Sequence, residues 1–284
     1  MTESLEHLRR WLGRNQEAGE VVDLLRARAL QAALDEPPPA LQAGDPLPPL
    51  WHWLYFWNVA THATLGPDGH PARGQFLPPV ALPRRMQAGG RLKFLRPLAA
   101  GTMAKRRSTV VDVVQKQGNS GQLVFVTIEH EISDKTGPCI QEEQDLVFRE
   151  LAKAGEPPRR HQAAPVVVPW RQQVTPDSVL LFRYSALTFN GHRIHYDLKY
   201  ATEEEGYPGL IVHGPLLATL MAGLVRKHAP DRRMTAFEYR ALRPVFDTAP
   251  FTVGGRLAQD QASAQLWIAD SNGTLAVKGR AELA

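Results

Sequence analysis

The sequence has one cysteine and no long apolar run, and these two shortages exclude several classes of protein. Its single thiol, Cys139, excludes an internal disulfide and a cysteine-rich metal site. No segment approaches the roughly 18 consecutive apolar residues that a membrane helix needs. The first ten residues also lack the apolar centre of a signal peptide. We therefore expect a soluble, cytoplasmic protein without a membrane partner.

The sequence also has little net charge. The net charge of +4 over 284 residues is too small and too dispersed to indicate a nucleic-acid partner. Basic side chains are densest at residues 105–107 and 232–233. Either these groups are solvated, or one cluster contacts the phosphates of a nucleotide-bearing substrate.

Several common catalytic motifs are missing. No Gly-x-Gly-x-x-Gly follows a predicted strand, and no Walker loop is present. The sequence also lacks the Gly-x-Ser-x-Gly elbow, and Ser185 has no supporting turn, which argues against a Ser-His-Asp hydrolase.

The first half of the chain combines helical and strand patterns. Apolar residues recur near the helical period over residues 4–34, with two glycines that could divide the segment into two helices. The aromatic run at residues 51–57 is either a buried strand or the lip of a pocket, and residues 65–83 form a long loop. Strand patterns follow at residues 91–95, 108–115, 123–132 and 141–148.

The second half repeats this emphasis on strands. We predict a strand at 178–184, a loop, a short helix near 195–204 and an apolar helix over 214–228. Four more strands follow at 235–242, 251–257, 264–269 and 274–281. Short strands around one long helix indicate an α+β fold. We divide the chain into a first unit at 1–150, a linker at 151–169 and a second unit at 170–284. The similar strand runs of the two units suggest duplication.

The loop before the apolar helix carries the candidate chemistry. His195 is the best base, because an imidazole is mostly neutral at neutral pH. Asn190 cannot act as a base, but its amide can orient a water molecule or the imidazole. Gly214 starts the apolar helix, where a free N–H and the helix dipole could hold a developing negative charge. Pro215 favours that helix start. Together these residues suggest water addition to, or removal from, an activated acyl group.

Other assignments for the neighbouring residues stay open. His192, His195 and His213 could hold zinc, although the adjacent Arg193 would repel a cation, so we predict no metal. Asp197 could pair with an imidazole or cap the following helix.

The segment Phe189-Asn190-Gly-His-Arg-Ile-His195-Tyr-Asp resembles the hydratase motif of MaoC-like, hot-dog-fold enoyl-thioester hydratases and dehydratases. That family usually has Gly-Asp-x-Asn-Pro-Ile-His, so its catalytic Asp falls on Asn190 and its His on His195. Its helix start is matched by His213-Gly214-Pro215. The form found here is similar to a subgroup of type 2 hydroxyacyl-thioester dehydratases and two-unit hydratases of itaconyl-CoA or 3-methylfumaryl-CoA.

The resemblance implies a double hot-dog fold, in which each unit wraps an antiparallel sheet around a central helix. It also implies catalysis by Asn190, His195 and Gly214, a CoA thioester as substrate, no cofactor and a homodimer. Arginines could pair with a free carboxylate of the substrate. The candidate substrate contacts are Arg84, Arg85, Arg193, Tyr196 and His213.

Three functions remain as hypotheses at this level. The first is a hydro-lyase that hydrates a short, branched dicarboxylic enoyl-CoA. The second is an (R)-3-hydroxyacyl-thioester dehydratase of fatty-acid metabolism, with a longer apolar tunnel. The third is a non-catalytic acyl-thioester binding protein, because the acid of the usual motif is replaced by Asn190.

Overall fold

A computed structural model describes residues 4–118, 121–150 and 161–284. Its strands form one continuous antiparallel sheet in the order β1-β3-β4-β5-β2-β7-β10-β9-β8-β6. The strands are β1 (Asn15–Val21), β2 (Arg84–Phe94), β3 (Met103–Gly118), β4 (Gly121–Asp134), β5 (Gly137–Arg149), β6 (Trp170–Val174), β7 (Met234–Ala241), β8 (Phe251–Leu257), β9 (Ser263–Ala269) and β10 (Leu275–Leu283).

The sheet is symmetric about its central pair, β2 and β7. Outward from β2 the order is β5, β4, β3, β1, and outward from β7 it is β10, β9, β8, β6. Each half therefore repeats one strand order, as duplication of a unit would produce. Much of the predicted linker, residues 151–160, lies outside the described residues, so the domain boundaries at 150 and 170 remain a prediction.

The long apolar helix forms as expected and packs on the second half of the sheet. This helix, α4, spans Gly214–His228 and contacts β6, β8, β9 and β10. Its buried face contributes Leu216, Met221 and Leu224 to the main core. Burial of this face is the main driving force for its docking, since each buried aliphatic side chain contributes about 1.5–3 kcal/mol. No helix in the described ranges is long and apolar enough to cross a membrane.

The prediction of a strand at 178–184 is wrong, because the segment begins the helix α3 (Ser178–Thr188). Asp177 caps it by accepting a hydrogen bond from the Leu180 N–H at 2.7 Å. The helix ends at Phe189, whose left-handed backbone turns the chain into the loop that carries Asn190 and His195. The cap is a local helix signal that the apolar pattern alone did not weigh.

The N-terminal segment is only partly helical. Two helices, α1 (Leu5–Arg9) and α2 (Leu24–Ala33), flank strand β1, which the helical spacing of 4–34 did not predict. β1 lies at the edge of the sheet and, among the described strands, pairs with β3 alone, so its formation depends on a partner some 90 residues away in sequence. Such a tertiary contact overrides local periodicity.

Several other segments differ in detail from the predicted secondary structure. The aromatic run forms a short 3-10 helix at Trp51–Leu54, so it is not a strand, and its residues pack in the core while several line a cavity. The predicted short helix near 195–204 is a 3-10 turn at Arg193–His195 followed by a π-helical turn at Tyr200–Glu204. Apart from the segment at 178–184, the predicted strands of both halves form, most of them longer than expected.

The central β2–β7 pair depends on a glycine. A Cβ on Gly89 would lie 2.3 Å from the backbone oxygen of Tyr239. We expect Gly89→Ala to lower the unfolding free energy by about 2 kcal/mol or more, because rigid backbone must move apart. That corresponds to a drop in Tm of roughly 4–8 °C in a thermal unfolding experiment.

Gly19→Ala is the matched control, since its Cβ would meet its nearest atom at 3.6 Å. Its Tm should remain close to that of the wild type. Equal Tm values for the two variants would contradict the close packing of β2 against β7.

Candidate active site

A cavity of about 1170 Å³ is lined by both halves of the chain. The second half contributes the predicted residues Asn190, His195 and Gly214, which the structure brings together on this cavity. The first half contributes His70 and Arg85, together with aromatic side chains from the 51–57 run. The site is therefore built between the two halves, and neither half contains it alone.

The imidazole of His195 is held in one tautomer. Its Nδ1–H donates to the backbone oxygen of Ile211 at 2.7 Å, and a carbonyl can only accept. Nε2 therefore carries a lone pair. The residue is only 7% exposed, and burial lowers its pKa to about 4, although the hydrogen bond to Ile211 opposes this shift. His195 is thus neutral and able to accept a proton at neutral pH.

His213 supports His195 from behind. The two rings stack with centroids 3.7 Å apart, and His213 Nε2 lies 2.8 Å from the Ser185 hydroxyl. His213 is fully buried and does not line the cavity, so the structure corrects its assignment as a substrate contact. Burial, and the charge that a protonated His195 would carry, both keep the pKa of His213 well below its usual value.

Asn190 is fixed by the turn that follows α3. Its backbone N–H donates to Ser185 O at 2.8 Å, and its side-chain oxygen accepts from the His192 N–H at 3.0 Å. One lone pair of the amide oxygen is thereby engaged, and the NH2 group remains as a donor.

Gly214 presents a backbone donor at the start of α4. As the first helical residue it has no intrahelical acceptor, and no described residue accepts a hydrogen bond from its N–H. A Cβ at this position would meet no atom within 4 Å, so the space in front of it is open. The N–H and the helix dipole can therefore stabilise an oxyanion in the cavity.

Of the three candidate arginines, only Arg85 lines the cavity. Arg84 donates to Glu205 at 2.8 Å, and Arg193 donates to Asp197 at 2.8 and 2.9 Å, so both already pair with carboxylates away from the cavity. The structure therefore corrects their assignment as substrate contacts. No described residue accepts a hydrogen bond from the Arg85 guanidinium, and burial lowers its pKa to about 10. It remains positively charged and free to pair.

Tyr196 and Asp197 make hydrogen bonds to nearby backbone groups of their own loop. Tyr196 lines the cavity, is 45% exposed and donates its hydroxyl to Gly191 O at 3.0 Å. Asp197 accepts from the Tyr200 N–H at 3.0 Å, which confirms its role as a cap and leaves no pairing with an imidazole.

Sequence reasoning missed a contact between the halves at this loop. Asp68 and His70, from the predicted 65–83 loop, lie beside His192, and the ligand atoms of the three lie within 4.8 Å of one another. The two segments of the chain approach so closely that a Cβ on Gly69 would lie 2.0 Å from Gly191 O. The available signal was the Gly-Pro-Asp-Gly-His sequence at residues 66–70, a turn that carries two titratable side chains.

A second polar cluster in the first half was also missed. Glu142 accepts from Trp53 Nε1 at 2.9 Å and lies 2.9 Å from His52 Nε2, with all three residues on the cavity wall. Arg106 and His130 line the same wall. Burial would raise the pKa of Glu142, but His52 and His130 outweigh it, so the carboxyl group is ionised. The signal was charge at inward-facing positions of otherwise apolar strands.

Comparison with known proteins agrees with this architecture. The family described as hydroxyacyl-thioester dehydratase type 2 matches residues 50–247, and the chain belongs to it. A curated relative from Chloroflexus aurantiacus, named mesaconyl-C(4)-CoA hydratase, is 47% identical over 87% of this chain and 88% of its own. A relative from Schizosaccharomyces pombe, named hydroxyacyl-thioester dehydratase type 2, mitochondrial, is 30% identical over 73% of this chain and 77% of its own.

Solved structures share the fold. A MaoC-like dehydratase from Phytophthora capsici superimposes with a TM-score of 0.70 at 14% identity over 99% of both chains. A Mycobacterium tuberculosis protein described as a double hotdog fold has a TM-score of 0.60 at 14% identity over 96% of both chains. The chain is therefore a double hot-dog protein of the MaoC-like hydratase and dehydratase family. It is a hydro-lyase, as its relatives are named.

The buried state of His195 predicts an unusual pH dependence. Because burial lowers its pKa to about 4, the basic form persists well below the usual value of about 6.5. We expect kcat/KM for thioester hydration to stay constant from pH 8 to about 5 and to fall only as pH approaches 4.

Folding stability must be followed in the same experiment. An unfolded histidine binds a proton below about pH 6.5, whereas the native one does so only near 4, so stability also falls as pH drops through this window. Brief exposure to each pH, followed by assay at pH 7.5, separates the two effects. An acid limb centred at 6.5 or above would contradict a neutral, buried base.

Proposed function

We propose that this protein hydrates a short, branched dicarboxylic enoyl-CoA, either itaconyl-CoA or 3-methylfumaryl-CoA. The observation that carries the proposal is the shared cavity of His195, Gly214 and the unpaired Arg85, which offers a base, an oxyanion donor and a cation for a free carboxylate. The name of the Chloroflexus aurantiacus relative supports it, since mesaconic acid is methylfumaric acid.

In the proposed reaction His195 acts as the general base. Its Nε2 accepts a proton from water while the water oxygen bonds to the β-carbon of the enoyl group. The C=C electron pair shifts toward the thioester carbonyl, and the Gly214 N–H stabilises the enolate oxygen that forms. The protonated His195 then returns the proton to the α-carbon, so the base is regenerated and one water molecule is added.

The neutral state of His195 suits this cycle. Its low pKa favours rapid return of the proton to carbon, because burial disfavours the imidazolium form. The hydrogen bond from Nδ1 to Ile211 partly stabilises that cation and fixes Nε2 as the reactive atom. Stacking on His213 limits rotation of the ring.

A fatty-acid dehydratase is the second candidate. The name of the Schizosaccharomyces pombe relative and the size of the cavity favour it. The polar wall formed by Glu142, His52 and Arg106 opposes it, because a long alkyl chain would have to lie against buried charge that it cannot hydrogen-bond. This wall suits an acyl group that is short or polar.

His195→Ala tests the base. We expect kcat to fall by roughly 100-fold or more, the scale of general-base catalysis, with a smaller effect on KM. Steady-state kinetics with the best enoyl-CoA measures both. His62→Ala, at an exposed residue outside the cavity, is the control and should retain full activity. An unchanged rate for His195→Ala would remove this residue from the mechanism and would agree with a binding protein instead.

A substrate panel analysed by mass spectrometry tests the acyl group. We expect wild-type kcat/KM with itaconyl-CoA or 3-methylfumaryl-CoA to exceed that with crotonyl-CoA, which lacks the second carboxylate. Arg85→Gln should lower the dicarboxylic rates by about 10- to 100-fold, because a charge-assisted hydrogen bond contributes about 1.5–3 kcal/mol. Its rate with crotonyl-CoA should change little.

Crotonyl-CoA thus serves as the internal control for folding of the Arg85 variant. Faster turnover of crotonyl-CoA than of both dicarboxylic substrates by the wild type would contradict the proposal. A steady rise in rate from four to ten acyl carbons would favour the fatty-acid dehydratase.

A further inference from the structure

Asn190 gives the motif fewer hydrogen-bond acceptors than the carboxylate of the usual hydratase motif would. A water molecule that attacks carbon has two O–H bonds, and both need acceptors if its oxygen is to point at the β-carbon. His195 Nε2 accepts one. Asn190 stands where the usual hydratase motif has Asp, and one lone pair of its side-chain oxygen already accepts from the His192 N–H at 3.0 Å. Its remaining NH2 group can only donate.

A second imidazole with a free lone pair lies nearby. His70 Nδ1 is 3.2 Å from Asp68 Oδ2, and the Asp68 side chain also accepts from the His70 backbone N–H at 3.0 Å. Although burial opposes it, the His70 hydrogen bond lowers the pKa of Asp68, so the carboxyl group is ionised and Nδ1 must be the donor. Nε2 of His70 is therefore an acceptor, the same tautomer as in His195.

The two imidazoles belong to one cluster. The ring centroids of His70 and His192 are 4.2 Å apart, and those of His192 and His195 are 5.4 Å apart. All three rings line the cavity with Asn190 and Gly214. The loop of His70 is held there by a hydrogen bond from the Arg193 N–H to Asp68 O at 2.9 Å and by the close approach of Gly69 to Gly191.

The geometry points to His70, oriented by Asp68, as the second residue that holds the attacking water. One water proton passes to His195 Nε2 and later to the α-carbon. The other O–H donates to His70 Nε2 and remains on the product as its hydroxyl group. His70 gains no proton and loses none, and no co-reactant is needed. The first half of the chain thereby supplies a second imidazole acceptor beside His195.

A metal ion is the competing explanation for this cluster, since Asp68, His70 and His192 offer three ligand atoms within 4.8 Å. The charge of Arg85 opposes it. That guanidinium interacts electrostatically with Asp68, His70 and His192, so a cation placed among them would face an adjacent fixed positive charge. An anionic or neutral oxygen suits the cluster better.

A rescue experiment separates water binding from structural support. We expect His70→Ala to lower kcat by about 10- to 100-fold with a smaller change in KM. Asn190→Asp should then restore much of this loss in the double variant, because one carboxylate oxygen can replace the amide oxygen at His192 and the other can accept from water. In the wild-type background Asn190→Asp should raise kcat by less than about twofold.

The Asp68 variant tests orientation. The amide of Asp68→Asn can donate to Nδ1 and move the His70 proton to Nε2, so kcat should fall although the shape is kept. Combination with His70→Ala should add no further loss, since both changes remove one function. His62→Ala, on the same stretch of chain but exposed and outside the cavity, controls for general effects.

The outcomes are distinct. Wild-type kcat in His70→Ala overturns the inference, and so does a loss that Asn190→Asp does not restore. Stoichiometric metal in the purified protein, with activity that chelation removes, overturns it in favour of a metal site. The inference rests on the proposed hydration chemistry but not on the acyl group. Turnover of a given thioester by the wild type tests the proposed function, whereas ratios among variants on any thioester that is turned over test His70.

Discussion

The hydrogen bond from His195 Nδ1 to Ile211 O is the interaction on which the site depends. It makes Nε2 the only basic atom of the ring, and the residue lines the cavity. The acceptor belongs to the segment that leads into α4, so the same short stretch orients His195 and presents the Gly214 N–H. The proposed base and the proposed oxyanion donor are thus positioned by neighbouring residues, and His213 at the helix start packs against the ring of His195 by stacking.

The symmetric sheet explains why the site needs both halves. The β2–β7 pair joins them through backbone hydrogen bonds, and Gly89 permits the close approach of strands there. This seam brings the 66–70 turn of the first half against Gly191 in the second. The first half has no counterpart of the Asn190–His195 segment, yet it supplies Arg85, His70 and the polar cavity wall. The two halves therefore make different contributions to one cavity.

The sequence predicted those parts of the molecule that local chemistry determines. The apolar stripe of α4, the Gly-Pro start of that helix and most of the predicted strands appear as expected. His195 and Gly214 line one cavity. The sequence failed to predict the structure where distant partners decide. Strand β1 forms by pairing with β3, which is distant in sequence. Arg84 and Arg193 form ion pairs with Glu205 and Asp197. The turn that carries Asp68 and His70 lies beside the loop that begins at residue 191. Local patterns carry no information on such pairings.

The structure of an inactive His195→Gln variant with 3-methylfumaryl-CoA bound is the most direct test of the account. The thioester oxygen should lie within hydrogen-bond distance, about 2.7–3.2 Å, of the Gly214 nitrogen. The β-carbon should face the side chain at position 195, and the free carboxylate should contact the Arg85 guanidinium. A thioester bound elsewhere in the cavity, with its oxygen turned away from Gly214, would contradict it.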